Sequence, residues 1–134
     1  MKISPAKIQV RFSDVDALGH VNNAVYLSYF EFARIHYFNA MLGTEWDWNS
    51  DGLILLKNEV EYLRPVLLND KPEVEVFVIE IGNKSFKMGY NLTVDGIVYC
   101  KGSSVLVGYD NSKKCSIVLT PAMRSSLENL KAEQ

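Results

Sequence analysis

Residues 25–41 carry apolar side chains on nearly every face of a predicted helix, and this pattern constrains the fold more than any other feature. One stripe at helical spacing consists of Tyr26, Phe30, Ala33, Tyr37 and Met41. Further apolar residues occupy most of the remaining faces. A helix that is apolar nearly all round has to be enclosed by protein on several sides. The rest of the chain therefore has to supply a surface that wraps around this helix.

The two ends of the predicted helix are marked by residues that suit helix caps. Asn22 or Asn23 is expected at the N-terminus, because a short side-chain oxygen can accept hydrogen bonds from the first backbone N–H groups. Gly43 is expected to end the helix. Within it, Glu31 lies three residues before Arg34, and this spacing predicts an ion pair on the helix surface.

Five segments are strand-like, and three of them, at residues 8–12, 74–81 and 86–94, show the alternation of apolar and polar residues that is typical of strands with one buried face. Residues 8–12 predict the first strand, since Ile8, Val10 and Phe12 alternate with polar side chains. Four more strands are predicted at residues 54–63, 74–81, 86–94 and 97–109. Asp95 and Gly96 form a strong two-residue hairpin signal. The last three strands are therefore expected to form a meander.

The order of these elements predicts an α+β fold in which one antiparallel sheet curls around one helix. A short C-terminal helix is also expected, because Thr120 and Pro121 suit the N-cap and the first helical position. One small sheet cannot cover every side of the central helix, so part of its apolar surface is expected to pack against a partner subunit. The sequence thus predicts a homodimer at least.

Length, charge and cysteine content restrict the class of function. The 134 residues, 48% of them hydrophobic, predict one compact domain over residues 1–134. A net charge of -2 without a basic run argues against nucleic-acid binding. No signal peptide or membrane span is recognisable, which makes the cytoplasm the default location. Cys100 and Cys115 fit no metal-ligand pattern and are expected to be reduced thiols.

Polar residues cluster in the segment that precedes the predicted helix, and several metal sites can be compared with it. The segment does not match a calcium-binding EF-hand loop, because Leu18 and Val25 occupy positions that need oxygen ligands. A zinc site needs three or four ligands, and the chain has only 2 histidines to contribute. A magnesium site built from Asp14 and Asp16 stays open.

The same polar segment also suits hydrolysis at a carbonyl group. Backbone N–H groups at a helix start can polarise a carbonyl oxygen, and a carboxylate one turn upstream can act on water or on the carbonyl carbon. A purely structural interpretation carries equal weight at this point: Asp14 and Asp16 as turn and capping residues, Gly19 at a positive φ, and His20 as a hydrogen-bonded core residue.

The segment "RFSDVDALGHVNNAVYLSYFEFAR", residues 11–34, closely resembles the opening of the hotdog-fold thioesterases of the 4-hydroxybenzoyl-CoA thioesterase type. "VEYLRPVLLNDKPEVEV" is similar to the second and third strands of that family, and "GNKSFKMGYNLTVDGIVYCKGSSVLVGYD" to its closing meander. The resemblance covers residues 6–110. It implies the hotdog fold, an antiparallel sheet wrapped around a long central helix, with active sites at a dimer interface.

The resemblance also implies roles for particular residues. The second aspartate of the family's D-x-D pair is the catalytic carboxylate, which corresponds to Asp16. The N–H that binds the thioester oxygen at the helix start corresponds to Asn23, and His20 stands where related plant acyl-carrier-protein thioesterases have a catalytic histidine. Contacts to coenzyme A are expected from Asn83, Lys84 and Ser85.

These features together predict a thioesterase that hydrolyses an acyl-CoA or acyl carrier protein thioester as a homodimer or homotetramer. No metal and no separate cofactor are expected, because coenzyme A is part of the substrate. A hotdog hydratase or dehydratase is the first alternative, although enoyl hydratases separate their aspartate and histidine by four residues and here three separate Asp16 from His20. A non-catalytic acyl-CoA-binding oligomer is the second alternative.

Overall fold

The computed structural model describes residues 2–131, which form one antiparallel sheet and two helices. The strands are β1 (Ala6–Lys7), β2 (Gly52–Tyr62), β3 (Glu73–Ile81), β4 (Ser85–Val94), β5 (Ile97–Asp110) and β6 (Cys115–Ser116). The helices are α1 (Val25–Leu42) and α2 (Pro121–Asn129), and a short 3-10 helix spans Phe12–Asp14. Among residues 2–131, no helix combines the length and apolar character needed to cross a bilayer.

The sheet has the strand order β1-β3-β4-β5-β2, and β6 pairs with β5. All of these strand pairs are antiparallel. The buried core includes side chains of α1 and of β3, β4 and β5 in a single cluster. The predicted hotdog arrangement of a sheet and a long central helix is confirmed, and β2 forms one edge of the sheet.

Helix α1 is buried on one side and open on the other. Tyr26, Phe30 and Ala33 are almost completely buried against the sheet, whereas Phe32 and Ile35 remain 53% and 52% exposed. Gly43 ends the helix at φ +80°, as predicted. The sheet therefore covers only part of the apolar helix, as the size of a single small sheet requires.

The last four predicted strands are confirmed to within a few residues by β2 to β5. The α2 cap is also confirmed, because Thr120 Oγ1 accepts a hydrogen bond from the Met123 N–H at 3.2 Å. The predicted first strand is wrong over residues 8–12. Phe12 begins the 3-10 helix with its side chain 82% exposed. Reciprocal hydrogen bonds between Arg11 and Asp14 close that turn, and such local bonds compete with a strand ladder.

Two further sequence predictions need correction. Glu31 and Arg34 form no ion pair, because Arg34 turns into the core and donates to the Tyr90 hydroxyl while Glu31 stays exposed. Helix α1 begins after Ala24, which has no side-chain cap, so neither asparagine acts as the predicted cap. The two cysteines are free thiols, with Cys100 buried and Cys115 exposed.

Candidate active site

The turn from Asp16 to His20 holds the candidate catalytic carboxylate. The Asp16 N–H donates to the His20 carbonyl oxygen at 2.8 Å, and Asp16 Oδ1 accepts from the N–H groups of Leu18 at 2.9 Å and His20 at 3.2 Å. Gly19 lies at φ +77°, a conformation that glycine adopts without steric cost. One carboxylate oxygen is thus fixed by the turn, and among residues 2–131 no donor engages Oδ2.

Asp14 lies two residues earlier, and its environment is different. It is 2% exposed. Its Oδ2 accepts from the Tyr29 hydroxyl at 2.8 Å and the Arg11 N–H at 2.9 Å, and its Oδ1 accepts from the Arg11 guanidinium at 3.1 Å. Burial alone would raise the pKa of Asp14, but these hydrogen bonds outweigh it and hold the pKa below its ordinary value. The structural interpretation is therefore right for Asp14.

These contacts bear on the magnesium site that the sequence left open. Asp14 is buried and accepts three hydrogen bonds inside the protein, whereas Asp16 is exposed and lines a pocket that Asp14 does not line, so the two carboxylates do not face a common site. Within residues 2–131, no three His, Cys, Asp or Glu side chains are grouped closely enough to hold a metal ion.

The start of α1 is fixed by the same network. The Asn22 N–H donates to the Asp14 carbonyl oxygen at 2.9 Å, and Asn22 Oδ1 accepts from the Ala24 N–H at 3.0 Å. The Tyr62 hydroxyl donates to the Asn23 carbonyl oxygen at 2.8 Å. No acceptor among residues 2–131 engages the Asn23 N–H. This N–H group therefore stays available to a substrate at the positive end of an 18-residue helix.

A pocket of about 330 Å³ opens at this helix start. All three predicted catalytic residues, Asp16, Asn23 and His20, lie on its wall. Tyr26, Tyr62, Arg64 and Pro65 are among the other lining residues. The structure thus brings together a carboxylate, an imidazole and a helix start, which is the combination that activation of a carbonyl group requires.

Tyr62 and Arg64 are pocket residues that sequence reasoning missed. The Tyr62 ring packs edge-on against Tyr26 at 5.0 Å between centroids, and the Arg64 guanidinium lies 5.9 Å from the centre of the Tyr99 ring. Burial raises the pKa of Tyr62, which keeps its hydroxyl a donor to Asn23. No sequence signal identifies either residue, because the end of β2 meets the start of α1 only in the folded chain.

The predicted coenzyme A contacts lie elsewhere. Asn83 and Lys84 lie in the turn between β3 and β4, and Ser85 begins β4. Lys84 Nζ lies 3.5 Å from Ser116 Oγ. Ser85 pairs with Val107, which pairs with Ile54 at the far end of β2 from Tyr62. At about 3.3 Å per residue, the turn lies roughly 25 Å from the pocket of the same chain. One chain therefore does not bring the two predicted groups of residues together.

Comparison with known proteins places the chain in a family. Residues 10–129 match the model of the thioesterase-like superfamily. The chain belongs to this superfamily. The matched residues include every residue that lines the pocket, from Asp16 to Pro65, and every strand except β1.

Known thioesterase-like proteins share the fold and part of the sequence. A thioesterase from Thermus thermophilus, solved in complex with coenzyme A and Zn, is 37% identical, with a TM-score of 0.83 over 96% of this chain and 94% of that one. A thioesterase-superfamily protein from Jannaschia sp. CCS1 is 25% identical, with a TM-score of 0.81 over 94% of this chain and 84% of that one.

A curated relative extends the comparison. The uncharacterized protein YsmA of Bacillus subtilis (strain 168) is 31% identical over 84 residues, which are 63% of this chain and 56% of that protein. The match thus spans little more than half the length of this curated relative. The predicted family and fold are confirmed, and the comparisons support the predicted enzyme class, a thioester hydrolase.

Proposed function

We propose that this thioesterase-like protein hydrolyses acyl-CoA thioesters and that the Asp16 carboxylate drives the reaction. The observation that carries the proposal is the convergence of Asp16, Asn23 and His20 on one pocket at the start of α1. The coenzyme A bound to the 37% identical thioesterase from Thermus thermophilus supports an acyl-CoA substrate. Acyl carrier protein thioesters stay a second substrate form to be tested.

The chemical steps follow from the positions of these groups. The thioester oxygen accepts a hydrogen bond from the Asn23 N–H, and the positive end of α1 stabilises the negative charge that develops there. Asp16 Oδ2 takes a proton from water as the water oxygen bonds to the carbonyl carbon. The C–S bond then breaks, and the proton passes to the departing thiolate, giving a free acid and free coenzyme A.

A nucleophilic variant of this mechanism uses the same atoms. Asp16 Oδ2 attacks the carbonyl carbon, the thiolate leaves, and water hydrolyses the resulting mixed anhydride. Hydrolysis in ¹⁸O-labelled water under single-turnover conditions tests for the nucleophilic route. Label incorporated into Asp16 itself indicates attack by the carboxylate, whereas label found only in the acid product is expected both for a general base and for water that attacks the acyl carbon of the anhydride. In both routes, His20 is proposed to donate a proton or a hydrogen bond to the leaving sulfur.

The proposed assembly is a dimer built along the edge of β2. This strand is 11 residues long and pairs only with β5 in the described chain. It exposes Ile54, Leu55 and Leu56, and the neighbouring face of α1 exposes Phe32 and Ile35. A long apolar edge strand is a template for pairing with another strand, and an apolar helix face beside it favours the same contact. Mass measurement in solution distinguishes a dimer from a tetramer.

This dimer would bring together the two predicted groups of site residues, the catalytic group at the pocket and the coenzyme A contacts at residues 83–85, which lie far apart in one chain. A two-fold axis that pairs two β2 strands antiparallel sets the Tyr62 end of one strand beside the Ile54 end of the other. The turn at residues 83–85 lies at that second end of the sheet. A second copy would therefore bring its Lys84 toward the pocket of the first, where an ammonium group can bind a phosphate of coenzyme A.

The activity is tested by measuring free thiol released from aromatic, short-chain and long-chain acyl-CoA thioesters and from an acylated carrier protein. Release of thiol from at least one of them is expected. An enoyl-CoA is included in the same assay. Formation of hydroxyacyl-CoA without thiol release would favour the hydratase, and tight binding without turnover over hours would favour a non-catalytic acyl-CoA-binding protein. The predicted cytoplasmic location stays a prediction, which cell fractionation tests.

A further inference from the structure

Arg34 is a buried arginine on α1 without an ion-pair partner among residues 2–131. It is only 8% exposed. Its Nη1 donates to the Tyr90 hydroxyl at 3.0 Å, and its guanidinium carbon lies 6.0 Å from the centre of the Tyr90 ring. Buried charges are normally paired, since an uncompensated charge is costly inside a protein. The missing negative charge therefore suggests that a ligand supplies it.

The arginine is held rigidly where it is. Tyr90 lies on β4 and is 1% exposed, and its ring stacks on Phe30 of α1 at 4.5 Å between centroids and 9° between planes. The hydroxyl that accepts from Arg34 is thus fixed by the core of the sheet. A guanidinium anchored through one nitrogen presents its remaining N–H groups in a defined direction, which favours recognition of a planar carboxylate.

Arg34 lies on the wall of a second pocket, with a volume of about 400 Å³, between α1 and the β2 edge of the sheet. Its apolar walls are formed by Ile35, Phe38, Trp48, Leu53, Leu55 and Leu106. Among the described residues, no fully buried side-chain nitrogen or oxygen lacks a hydrogen-bond partner. The Arg34 N–H groups that have no bond inside the protein must therefore be accessible, and this pocket is where they can be reached.

The walls of this second pocket suit an apolar group. Trp48 meets Phe38 edge-on at 5.6 Å between ring centroids. Glu31 also lines the pocket, but it is exposed, so solvent screens its charge more than it screens buried Arg34. The pocket thus offers apolar walls and one fixed positive charge. A ligand that matches it has an apolar body and an anionic end.

The position of the second pocket relative to the first rests on the proposed function and its dimer. Leu53 and Leu55 lie on β2 at the end opposite to Tyr62. In the proposed two-fold arrangement, the Tyr62 end of a second copy comes to lie beside them. An acyl group whose thioester is held by Asp16 of one copy can then extend into the second pocket of the other.

We propose that this second pocket binds the acyl group and that Arg34 selects acyl groups with a distal carboxylate. The guanidinium would pair with the carboxylate while the apolar walls enclose the chain or ring between it and the thioester. A neutral acyl group of the same shape would leave the buried charge uncompensated, and sites of this kind reject analogues that lack the paired group.

The test compares two thioesters of nearly equal size, 4-carboxybenzoyl-CoA and 4-methylbenzoyl-CoA, by their kcat/KM for thiol release. The wild-type protein is expected to prefer the carboxylate, and Arg34→Gln should lower the preference ratio about 10-fold or more, the effect of one charged hydrogen-bonded pair. Arg34→Lys should retain part of the preference because it keeps the charge. Lys113→Gln, which removes one positive charge from the exposed turn after β5, is the matched control and should leave the ratio unchanged.

The binding step is measured separately with 4-carboxyphenacyl-CoA, a thioether that cannot be hydrolysed. Its dissociation constant should rise about 10-fold or more in Arg34→Gln, and circular dichroism confirms that each variant is folded. A preference ratio that Arg34→Gln leaves unchanged, or equal binding of the thioether by both proteins, would overturn the role of Arg34. Absence of hydrolysis for every thioester would instead overturn the proposed activity, and the thioether would still decide whether Arg34 binds a carboxylate.

Discussion

The two pockets beside α1 differ in the groups that line them and in the kind of work each suits. The pocket at the helix start is lined by Asp16, His20 and Arg64 and opens onto a helix N-terminus. The second pocket has six apolar side chains, one buried cation, Arg34, and the exposed polar residues Glu31 and Asn39. A polar pocket with an unpaired backbone donor suits bond breaking, whereas a mainly apolar pocket with one buried positive charge suits recognition. In the proposed function, chemistry and substrate choice are therefore located at separate places along each copy of α1.

The largest expected effect comes from separating the two pockets by breaking the dimer. Ile54→Lys combined with Leu56→Lys places two charges on the β2 edge, and each also removes an apolar side chain that the interface would bury. At about 1.5 to 3 kcal/mol for each buried apolar side chain, dimerisation should weaken on the order of 100-fold or more. Light scattering measures the mass, and turnover should fall together with the dimer fraction.

The matched control for this dimer experiment is Val118→Lys, which adds a charge at another exposed apolar position, 52% exposed, away from the β2 edge. This variant should keep both its mass and its turnover. If the double variant becomes monomeric and retains full turnover, the two pockets do not work across a dimer. The polar pocket and the second pocket would then have to act within one chain, or independently of each other.

The next largest effect concerns the buried network below the polar pocket. Asp14→Ala leaves the Tyr29 hydroxyl without its acceptor and should lower the free energy of unfolding by about 3 kcal/mol, measured by urea denaturation. Because folding holds the pKa of Asp14 below its ordinary value of 3.8, its stabilisation is complete above that pH and is lost as the pH falls through the lower folded value.

The acid sensitivity of the fold therefore provides a separate check on Asp14. Asp14→Asn cannot titrate, so its stability should depend less on pH than that of the wild type below 3.8. Parallel urea titrations at several acidic pH values measure the difference. Identical pH dependence of the two proteins would mean that folding does not lower the pKa of this carboxylate, and the account of what holds the polar pocket would be wrong.

The smallest expected effect is that of Tyr62→Phe, which removes the hydrogen bond from β2 to the Asn23 carbonyl oxygen. Loss of one partly exposed hydrogen bond should cost about 1 kcal/mol of stability. Turnover should fall several-fold through kcat, because the helix start that we propose to bind the thioester oxygen becomes less rigid. Tyr109→Phe, near the C-terminal end of β5, is the control. An equal change in both variants would mean that the Tyr62 hydroxyl has no specific role in the site.

The same contrast explains how much the sequence could predict. The residues of the polar pocket stand mostly in one short segment, and the turn chemistry of Asp16, Gly19 and His20 is local, so the motif identified them. Strands β3 and β4 were predictable because their alternation is regular, β5 because the Asp95-Gly96 hairpin signal precedes it, and β2 because its strand-like run is followed by Pro65. Residues 8–12 alternate as well, but they form no strand. The Arg11 N–H donates to the Asp14 carboxylate instead, and this local hydrogen bond favours the 3-10 helix at Phe12–Asp14.

The second pocket could not be predicted, because its walls come from α1, from the segment around Trp48, and from β2 and β5, which meet only after folding. Arg34 shows the reason most clearly. Its spacing from Glu31 predicted a surface ion pair, yet burial of the helix face directed the guanidinium toward Tyr90 instead. Tyr62 and Arg64 were missed for the same cause, since tertiary packing decides which strand end meets the helix start.

The most direct test of the central claim is thiol release by Asp16→Asn compared with Asp95→Asn. Both variants replace one exposed carboxylate by an amide, and Asp95 lies in the hairpin turn between β4 and β5 at φ +52°, which asparagine tolerates. The account predicts that Asp16→Asn loses about 100-fold or more of its turnover while it stays folded, and that Asp95→Asn stays fully active. A folded Asp16→Asn protein with wild-type turnover would contradict it.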